Sequence, residues 1–130
     1  MHLRLAVLLG ATVWCALILA APAFGVTWVY RFFAILCHQE PERSWQILGN
    51  PLPVCIRCAS IYFAFTASLW LGLQANLRWL RIAICLMLCE FLLARVVIDA
   101  AMLRSVSGIL VGLTAAPFVK QGVEEICDSM

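Results

Sequence analysis

The sequence predicts an all-α membrane protein: an antiparallel bundle of four transmembrane helices, with a Cys/His-bearing loop outside the membrane between helices 1 and 2. Of its 130 residues, 65% are hydrophobic and only 12% are charged. A soluble domain needs more polar surface than this, so lipid is the expected solvent. Helices satisfy their own backbone hydrogen bonds, as lipid requires. At this length we expect a single domain, residues 1–130.

Four apolar runs separated by polar turns predict the spans of this bundle. They are residues 5–23, 54–73, 82–98 and 105–119. The first run resembles a signal peptide, because Arg4 precedes it and Ala21-Pro22-Ala23 mimics a cleavage site, but we expect it to be retained as an anchor. The aromatic stretch that follows is expected to continue or bend this helix along the membrane surface up to Cys37.

The sidedness of the bundle depends on the basic residues between the spans, and these give a tie under the positive-inside rule. One side carries Arg4, Arg78, Arg81 and Lys120, and the other carries Arg31, Arg43, Arg57 and Arg104. The N-terminal anchor and the close pair of arginines in the second turn favour both termini in the cytoplasm. The Cys/His loop then faces outward from a prokaryotic cytoplasmic membrane.

The loop of residues 37–58 concentrates the reactive side chains of the chain. Cys55 and Cys58 have the Cys-x-x-Cys spacing with which two thiolates bind one metal ion. Cys37 and His38 complete a Cys₃His set, which zinc favours in structural sites. Because the side chains of adjacent residues diverge, His38 can instead form a hydrogen bond and leave three ligands. The sequence therefore predicts a Zn²⁺ site, with a site that holds no metal as the alternative.

Two other interpretations of these cysteines stay open. A Cys-x-x-Cys pair at a helix start has a lowered thiol pKa, and Arg57 between the two cysteines adds positive charge. Cys37 would then serve as a resolving thiol for redox chemistry. The third interpretation is a simple disulfide or a set of reduced thiols without further function, and an outward location favours the disulfide.

Charged residues in and near the third span form a second candidate group. Glu90, Arg95 and Asp99 lie there, and Arg104 opens the fourth span. Charges within a membrane are costly and usually paired, and residues four apart meet on one helix face. We therefore expect Arg95 and Arg104 to pair with Asp99. Glu90 has no partner nearby in sequence, so it is the best candidate for a proton-carrying or ligand-contacting group in a polar pocket under the loop. The alternative is that it pairs with a partner subunit or with an arginine from the loop.

Gly108, Gly112 and Ala116 place small residues four apart on one face of the last helix. This pattern lets helix backbones approach closely. This face can pack within the bundle or dock onto another membrane subunit, and the sequence leaves both possibilities open.

Two motifs together resemble a prokaryotic family of small membrane proteins of unknown function with a CHQ … CxRC signature. The motifs are Cys37-His38-Gln39 with Pro41-Glu42-Arg43-Ser44, and Cys55-x-Arg57-Cys58 with Ile61-Tyr62. The resemblance continues through Asp99 to Arg104-x-x-x-Gly108-x-x-x-Gly112. Ser60, Ala64 and Ala100 stand where that family commonly has glycine, so helix approach near them can differ.

The resemblance implies a fold of several helices and names no reaction. It also implies that the polar residues of both motifs form one site. These residues are Cys37, His38, Cys55, Arg57, Cys58, Asp99 and Arg104.

Three functions are compatible with these observations. The favoured one is a non-catalytic accessory subunit of a larger membrane complex, such as a bioenergetic one. Its loop would be bound to a metal or stapled by a disulfide, and partner subunits would dock on the GxxxG face. The alternatives are a thiol–disulfide oxidoreductase that uses Cys55-x-x-Cys58 with quinone, and an ion or metal transporter that uses Glu90 and Asp99. The sequence contains no recognisable catalytic set, so an enzyme is the less favoured interpretation. The net charge of +2 without a basic run indicates no nucleic-acid partner.

Overall fold

Long helices lie side by side in this protein, and the cysteine-bearing loop covers one end of them. The computed structural model describes residues 2–96 and 100–129, and within these residues the chain forms five α-helices. They are α1 (His2–Phe24), α2 (Thr27–Phe33), α3 (Ile56–Leu71), α4 (Leu77–Val96) and α5 (Ala101–Ser129). Between α2 and α3 lie a 3₁₀ turn (Pro41–Arg43) and a hairpin of strands β1 (Gln46–Ile47) and β2 (Asn50–Pro51).

Two helices in the described part of the chain are long and apolar enough to cross a membrane, at Leu3–Phe24 and Ala101–Ser129. Helix α3 is apolar but has only 16 residues, and these rise about 24 Å against a bilayer core of about 30 Å. Helix α4 has 20 residues but carries three arginines and a glutamate. The helical fold is therefore confirmed, whereas the bundle of four transmembrane helices stays a prediction.

Helix α5 extends beyond the fourth predicted span at both ends. It begins at Ala101 and continues through Lys120 to Ser129. Hydropathy falls at Lys120, so the apolar run that defined the predicted span ends there, although the helix continues. Glu124 forms a salt bridge of 3.0 Å with Arg4 of α1, which gives the polar end of α5 a partner in the bundle.

Helix α3 contacts both α1 and α5, and its contact with α5 is the most extensive between any two described elements. α3 and α5 run parallel, because Arg57 lies beside Gly108 and the Ser68 hydroxyl donates to the Leu113 carbonyl (2.9 Å). α1 runs in the opposite direction, so its start meets the end of α5. Both termini consequently lie at one end of the bundle, while the side of the membrane that they face stays a prediction.

The small residues of α5 pack against α3. A Cβ added to Gly108 would lie 2.7 Å from the Arg57 carbonyl oxygen, and one added to Gly112 would meet the Ile61 carbonyl oxygen and the Ala64 Cβ. Ala116 is fully buried. The GxxxG motif therefore packs within the bundle. This corrects the prediction of a partner subunit on that face, because α3 already covers it.

The sequence left open whether the first helix continues or bends, and the structure shows a bend after α1. The loop then folds back over the bundle. Gly25 has a φ of 63° between α1 and α2. In the hairpin, Leu48 and Gly49 both have positive φ, as a two-residue turn between antiparallel strands requires. The Asn50 side-chain amide donates to the Pro22 carbonyl (3.1 Å). The hairpin is thereby fixed against the end of α1.

Candidate metal centre

Three cysteines from two distant stretches of the chain meet at the loop end of the bundle. The Sγ atoms of Cys37, Cys55 and Cys58 all lie within 4.8 Å of one another. All three are free thiols; Cys37 is buried and the other two are half-buried. Thiolates on one tetrahedral zinc ion lie about 3.8 Å apart, from a Zn–S bond of about 2.3 Å. The cluster is therefore close to the size that a single ion requires.

Cys37 is positioned by the end of α2. Its amide donates to the Phe33 carbonyl (2.8 Å), and Phe33 is only 1% exposed in the apolar core. The same core contains Leu52 and Val54 from the chain that leads into α3. Burial of these apolar side chains together draws the end of α2 against the approach to α3.

Gln39 connects the two cysteine stretches directly. Its side-chain amide nitrogen donates to the Tyr30 carbonyl (2.6 Å) and to the Pro53 carbonyl (2.8 Å). The Tyr30 hydroxyl in turn donates to the Pro51 carbonyl (2.6 Å). Gln39 belongs to the first sequence motif, but no role was predicted for it. These hydrogen bonds form a clamp between the two cysteine stretches, and the sequence signal for it was the position of Gln39 directly after Cys37-His38.

Cys55 and Cys58 lie at the start of α3, one helical turn apart. Cys55 is the N-cap residue in an extended conformation, and no side chain caps this helix end. The Cys55 amide donates instead to the Cys37 sulfur (3.2 Å). The backbone at the start of α3 is thus tied directly to the Cys37 sulfur.

Cys55 is prepared to act as a thiolate. A hydrogen bond from the Cys58 thiol lowers the pKa of Cys55 to about 5, although partial burial opposes the shift, and the Cys37 thiol adds to the lowering. The thiolate is the form of cysteine that binds metals and attacks electrophiles. At neutral pH the cluster therefore already contains one negatively charged sulfur.

His38 lies outside this group of thiols. It is exposed, and it lines a cavity that borders the three cysteines. The side chains of adjacent residues diverge, so burial of Cys37 directs His38 away from the sulfur cluster. Its role as the fourth ligand stays a prediction.

Glu90 is nearly buried, with 8% of its surface exposed, and it lies between arginines from two other helices. Its Oε2 is 2.6 Å from Nη2 of Arg57, and its Oε1 is 3.8 Å from Nε of Arg104. The Ser107 hydroxyl lies 3.5 Å from Oε2. Glu90, Arg57 and Arg104 are thus brought together. The partner of Glu90 is the arginine between the two α3 cysteines, 33 positions away along the chain.

Arg95 lies at the last turn of α4, where its guanidinium carbon is 5.3 Å from the centre of the Phe91 ring. The Arg57 guanidinium is 5.6 Å from the same ring. Sequence reasoning missed Phe91, which nothing distinguishes from other apolar residues of α4. Asp99 lies outside the described residues, so its predicted pairing with Arg95 and Arg104 stays a prediction.

Comparison with known proteins gives short local similarities to two archaeal proteins. The chain is 44% identical over 34 residues to the uncharacterized protein MJ1492 of Methanocaldococcus jannaschii; the match covers 26% of this chain and 22% of that protein. It is 46% identical over 39 residues to an uncharacterized protein of Methanothermobacter thermautotrophicus; this match covers 29% of this chain and 35% of that protein. The matches thus span about a third or less of each relative. No solved structure matches the chain.

A family model covers a much larger part of the sequence. The family is DUF2085, described as a predicted membrane protein, and its model matches residues 37–118. This segment begins at the first cysteine of the cluster and ends in α5, so it contains all three thiols together with Arg57, Glu90 and Arg104. The resemblance inferred from the motifs is confirmed: the chain belongs to this family of predicted membrane proteins.

Proposed function

We propose that this protein is an integral membrane protein that binds a thiophilic metal ion such as Zn²⁺ through Cys37, Cys55 and Cys58. The observation that carries the proposal is the approach of the three Sγ atoms to within 4.8 Å of one another as free thiols. Thiolate ligands favour zinc and other soft ions over magnesium or calcium. His38 is the proposed fourth ligand, because it lines the same cavity as the three cysteines and its exposed side chain can turn towards the ion.

The proposed role of the ion is structural, within a non-catalytic accessory subunit of a larger membrane complex. An ion bound by all three thiols ties the end of α2 to the start of α3, which Gln39 already connects through its hydrogen bonds to Tyr30 and Pro53. Metal binding then adds to the stability of the folded loop. A rigid loop of this kind suits contact with a partner subunit.

Metal analysis of the purified protein tests this proposal. The wild-type protein should carry about one zinc ion per chain, as a single tetrahedral site requires. The triple variant Cys37→Ser, Cys55→Ser, Cys58→Ser should carry none. The matched control is Cys85→Ser, Cys89→Ser, Cys127→Ser, which removes the same number of thiols outside the cluster and should keep the ion. Equal metal content in the two variants would contradict the proposal.

Purification in a mild detergent tests the accessory role separately. A subunit of a larger complex should co-purify with other membrane proteins in fixed proportion, and the triple cluster variant should reduce that yield. A lone chain throughout, under conditions in which known membrane complexes stay intact, would overturn the accessory role without affecting the metal site.

One observation favours a second candidate, a thiol–disulfide oxidoreductase. The pKa of Cys55 is lowered to about 5, as in cysteines that attack disulfides. Oxidation of the Cys55 thiolate and the Cys58 thiol to a disulfide would release two electrons and one proton to a quinone, which would take a second proton from water to form the quinol. Trapping of free thiols in intact membranes should then show both cysteines becoming blocked after quinone addition. Unchanged trapping would exclude this function. The transporter hypothesis gains no such support, because Glu90 is already paired with Arg57.

A further inference from the structure

A cavity of about 500 Å³ opens beside the cysteine cluster. Its walls come from three parts of the fold: the segment after α2, the start of α3, and the facing ends of α4 and α5. A volume of this size is within the range of small-molecule sites in proteins. The metal proposal uses only the sulfur atoms at one wall, and the rest of the cavity needs a separate explanation.

The charged residues that line the cavity are mainly cationic. Among the described lining residues there are four arginines and a single carboxylate, that of Glu40. The arginines are Arg43, Arg57, Arg95 and Arg104. Glu40 pairs with Arg43, and Glu90 behind the wall pairs with Arg57 and Arg104. A cleft with charges of one sign concentrates ions of the opposite sign.

The geometry holds two of these cations on one aromatic ring. Arg57 and Arg95 lie 5.6 Å and 5.3 Å from the centre of Phe91. Arg57 is fixed further by its salt bridge to Glu90 (2.6 Å). In the described part of the chain, no carboxylate is within salt-bridge distance of Arg95. Cation–ring contacts orient guanidinium groups and leave their N–H edges available. Both arginines line the cavity, so an anion inside it can accept hydrogen bonds from both.

We propose that this cavity binds an oxyanion of the phosphate type, with Arg57 and Arg95 as its main donors. Guanidinium groups match phosphate oxygens with paired, charge-assisted hydrogen bonds. The start of α3, which also borders the cavity, adds a favourable helix dipole. The oxyanion is either free phosphate or the headgroup of a phospholipid. The site goes beyond the proposed metal binding and does not require it.

Titration calorimetry with inorganic phosphate tests the inference on the full-length protein in a neutral sugar detergent. Wild type should bind phosphate with a 1:1 stoichiometry, and Arg95→Met should weaken binding by about tenfold or more, because one charge-assisted contact is lost. Arg81→Met is the matched control: it removes an exposed arginine at the opposite end of the same helix, and its affinity should equal that of wild type. Arg95 is exposed, so its replacement leaves the fold intact.

The source of the oxyanion is resolved by repeating the titration in phosphatidylcholine bilayers with and without phosphatidic acid. Loss of phosphate binding when phosphatidic acid is present identifies a headgroup site, and unchanged binding identifies a site for the free ion. Absence of phosphate binding to wild type in detergent and in phosphatidylcholine, or equal affinities of Arg95→Met and wild type, would overturn the inference. Zinc content measured on the same samples reports on the metal proposal independently, so the two can fail separately.

Discussion

The two ends of the bundle each contain a salt bridge, but they differ in burial. At the terminal end, Arg4 and Glu124 are 3.0 Å apart, and their side chains are 57% and 27% exposed. At the loop end, Arg57 and Glu90 are 2.6 Å apart, and their side chains are 22% and 8% exposed. Similar N–O distances therefore occur in very different solvent environments. Burial, rather than distance, decides how much each pair contributes to stability and to function.

The loop end combines features that the terminal end does not show in the described residues. It has three converging thiols, a cavity of about 500 Å³, and a glutamate bonded by an arginine from the cysteine motif. The cavity at the terminal end is only about 40 Å³, and apolar side chains line most of it. The difference indicates that the loop end is the functional end, whereas the terminal end closes the bundle.

The largest expected effect of a single substitution is that of Glu90→Gln. It leaves Arg57 and Arg104 without their carboxylate in a nearly buried place, and loss of one partner from a buried pair costs about 3–5 kcal/mol. Because Arg57 is partly exposed, we expect the lower end of this range. Reversible unfolding in mixed detergent micelles measures it. A loss well below about 1 kcal/mol would mean that the two ends do not differ in the way burial implies.

Thiol reactivity should also distinguish Cys55 from an ordinary cysteine. With a pKa lowered to about 5, Cys55 stays a thiolate as the pH falls from 8 to 6 and loses reactivity only as the pH passes through about 5. Free cysteine, with a pKa of about 8.5, loses nearly a hundredfold in thiolate over the same interval. Iodoacetamide labelling of the metal-free protein, followed by peptide mass spectrometry, measures the ratio. A parallel fall at Cys55 and in the free cysteine control would contradict the predicted thiolate.

Close approach of α3 and α5 brings Arg57 and Arg104 together, and Gly112→Ala should disturb it. The added methyl group would meet the Ile61 carbonyl oxygen and the Ala64 Cβ, and overpacking of this kind costs about 1–3 kcal/mol. Gly122→Ala in the same helix is the control, because an added Cβ there meets nothing within 4 Å. This substitution should stabilise the helix by about 0.5–1 kcal/mol. Equal unfolding free energies for the two variants would argue against the tight interface.

The smallest effect is expected at the terminal end. Glu124→Gln removes the half-buried partner of the exposed Arg4, and ion pairs near the surface contribute about 0–1 kcal/mol. The same unfolding measurement as for Glu90→Gln places both ends on one scale. A loss at Glu124 that equals the loss at Glu90 would remove the distinction between the two ends.

Local patterns were sufficient to predict much of the fold. Apolar runs located α1 and α3 within a few residues, because burial and lipid exposure leave a direct signature in composition. The end of α5 at Ser129 was missed, because its last turns are polar and depend on the pairing of Glu124 with Arg4 across the bundle. The use of Gly108 and Gly112 was left undecided, because the spacing describes a face and not the element that covers it.

The three thiols of the candidate site were predictable from the sequence, but their surroundings were not. The spacing of Cys55 and Cys58, with Cys37 at the other end of the loop, predicted the thiol cluster. The contact between Arg57 and Glu90 joins residues 33 positions apart on different helices, and no local periodicity encodes it. The same holds for the Gln39 clamp and for the two arginines on Phe91, which depend on how helix ends meet in space.

X-ray absorption at the zinc edge tests the central claim most directly. If Cys37, Cys55 and Cys58 hold the ion, the spectrum of the purified protein should show three sulfur neighbours at about 2.3 Å and one lighter neighbour at about 2.0–2.1 Å. A zinc environment with only oxygen and nitrogen neighbours would contradict the claim.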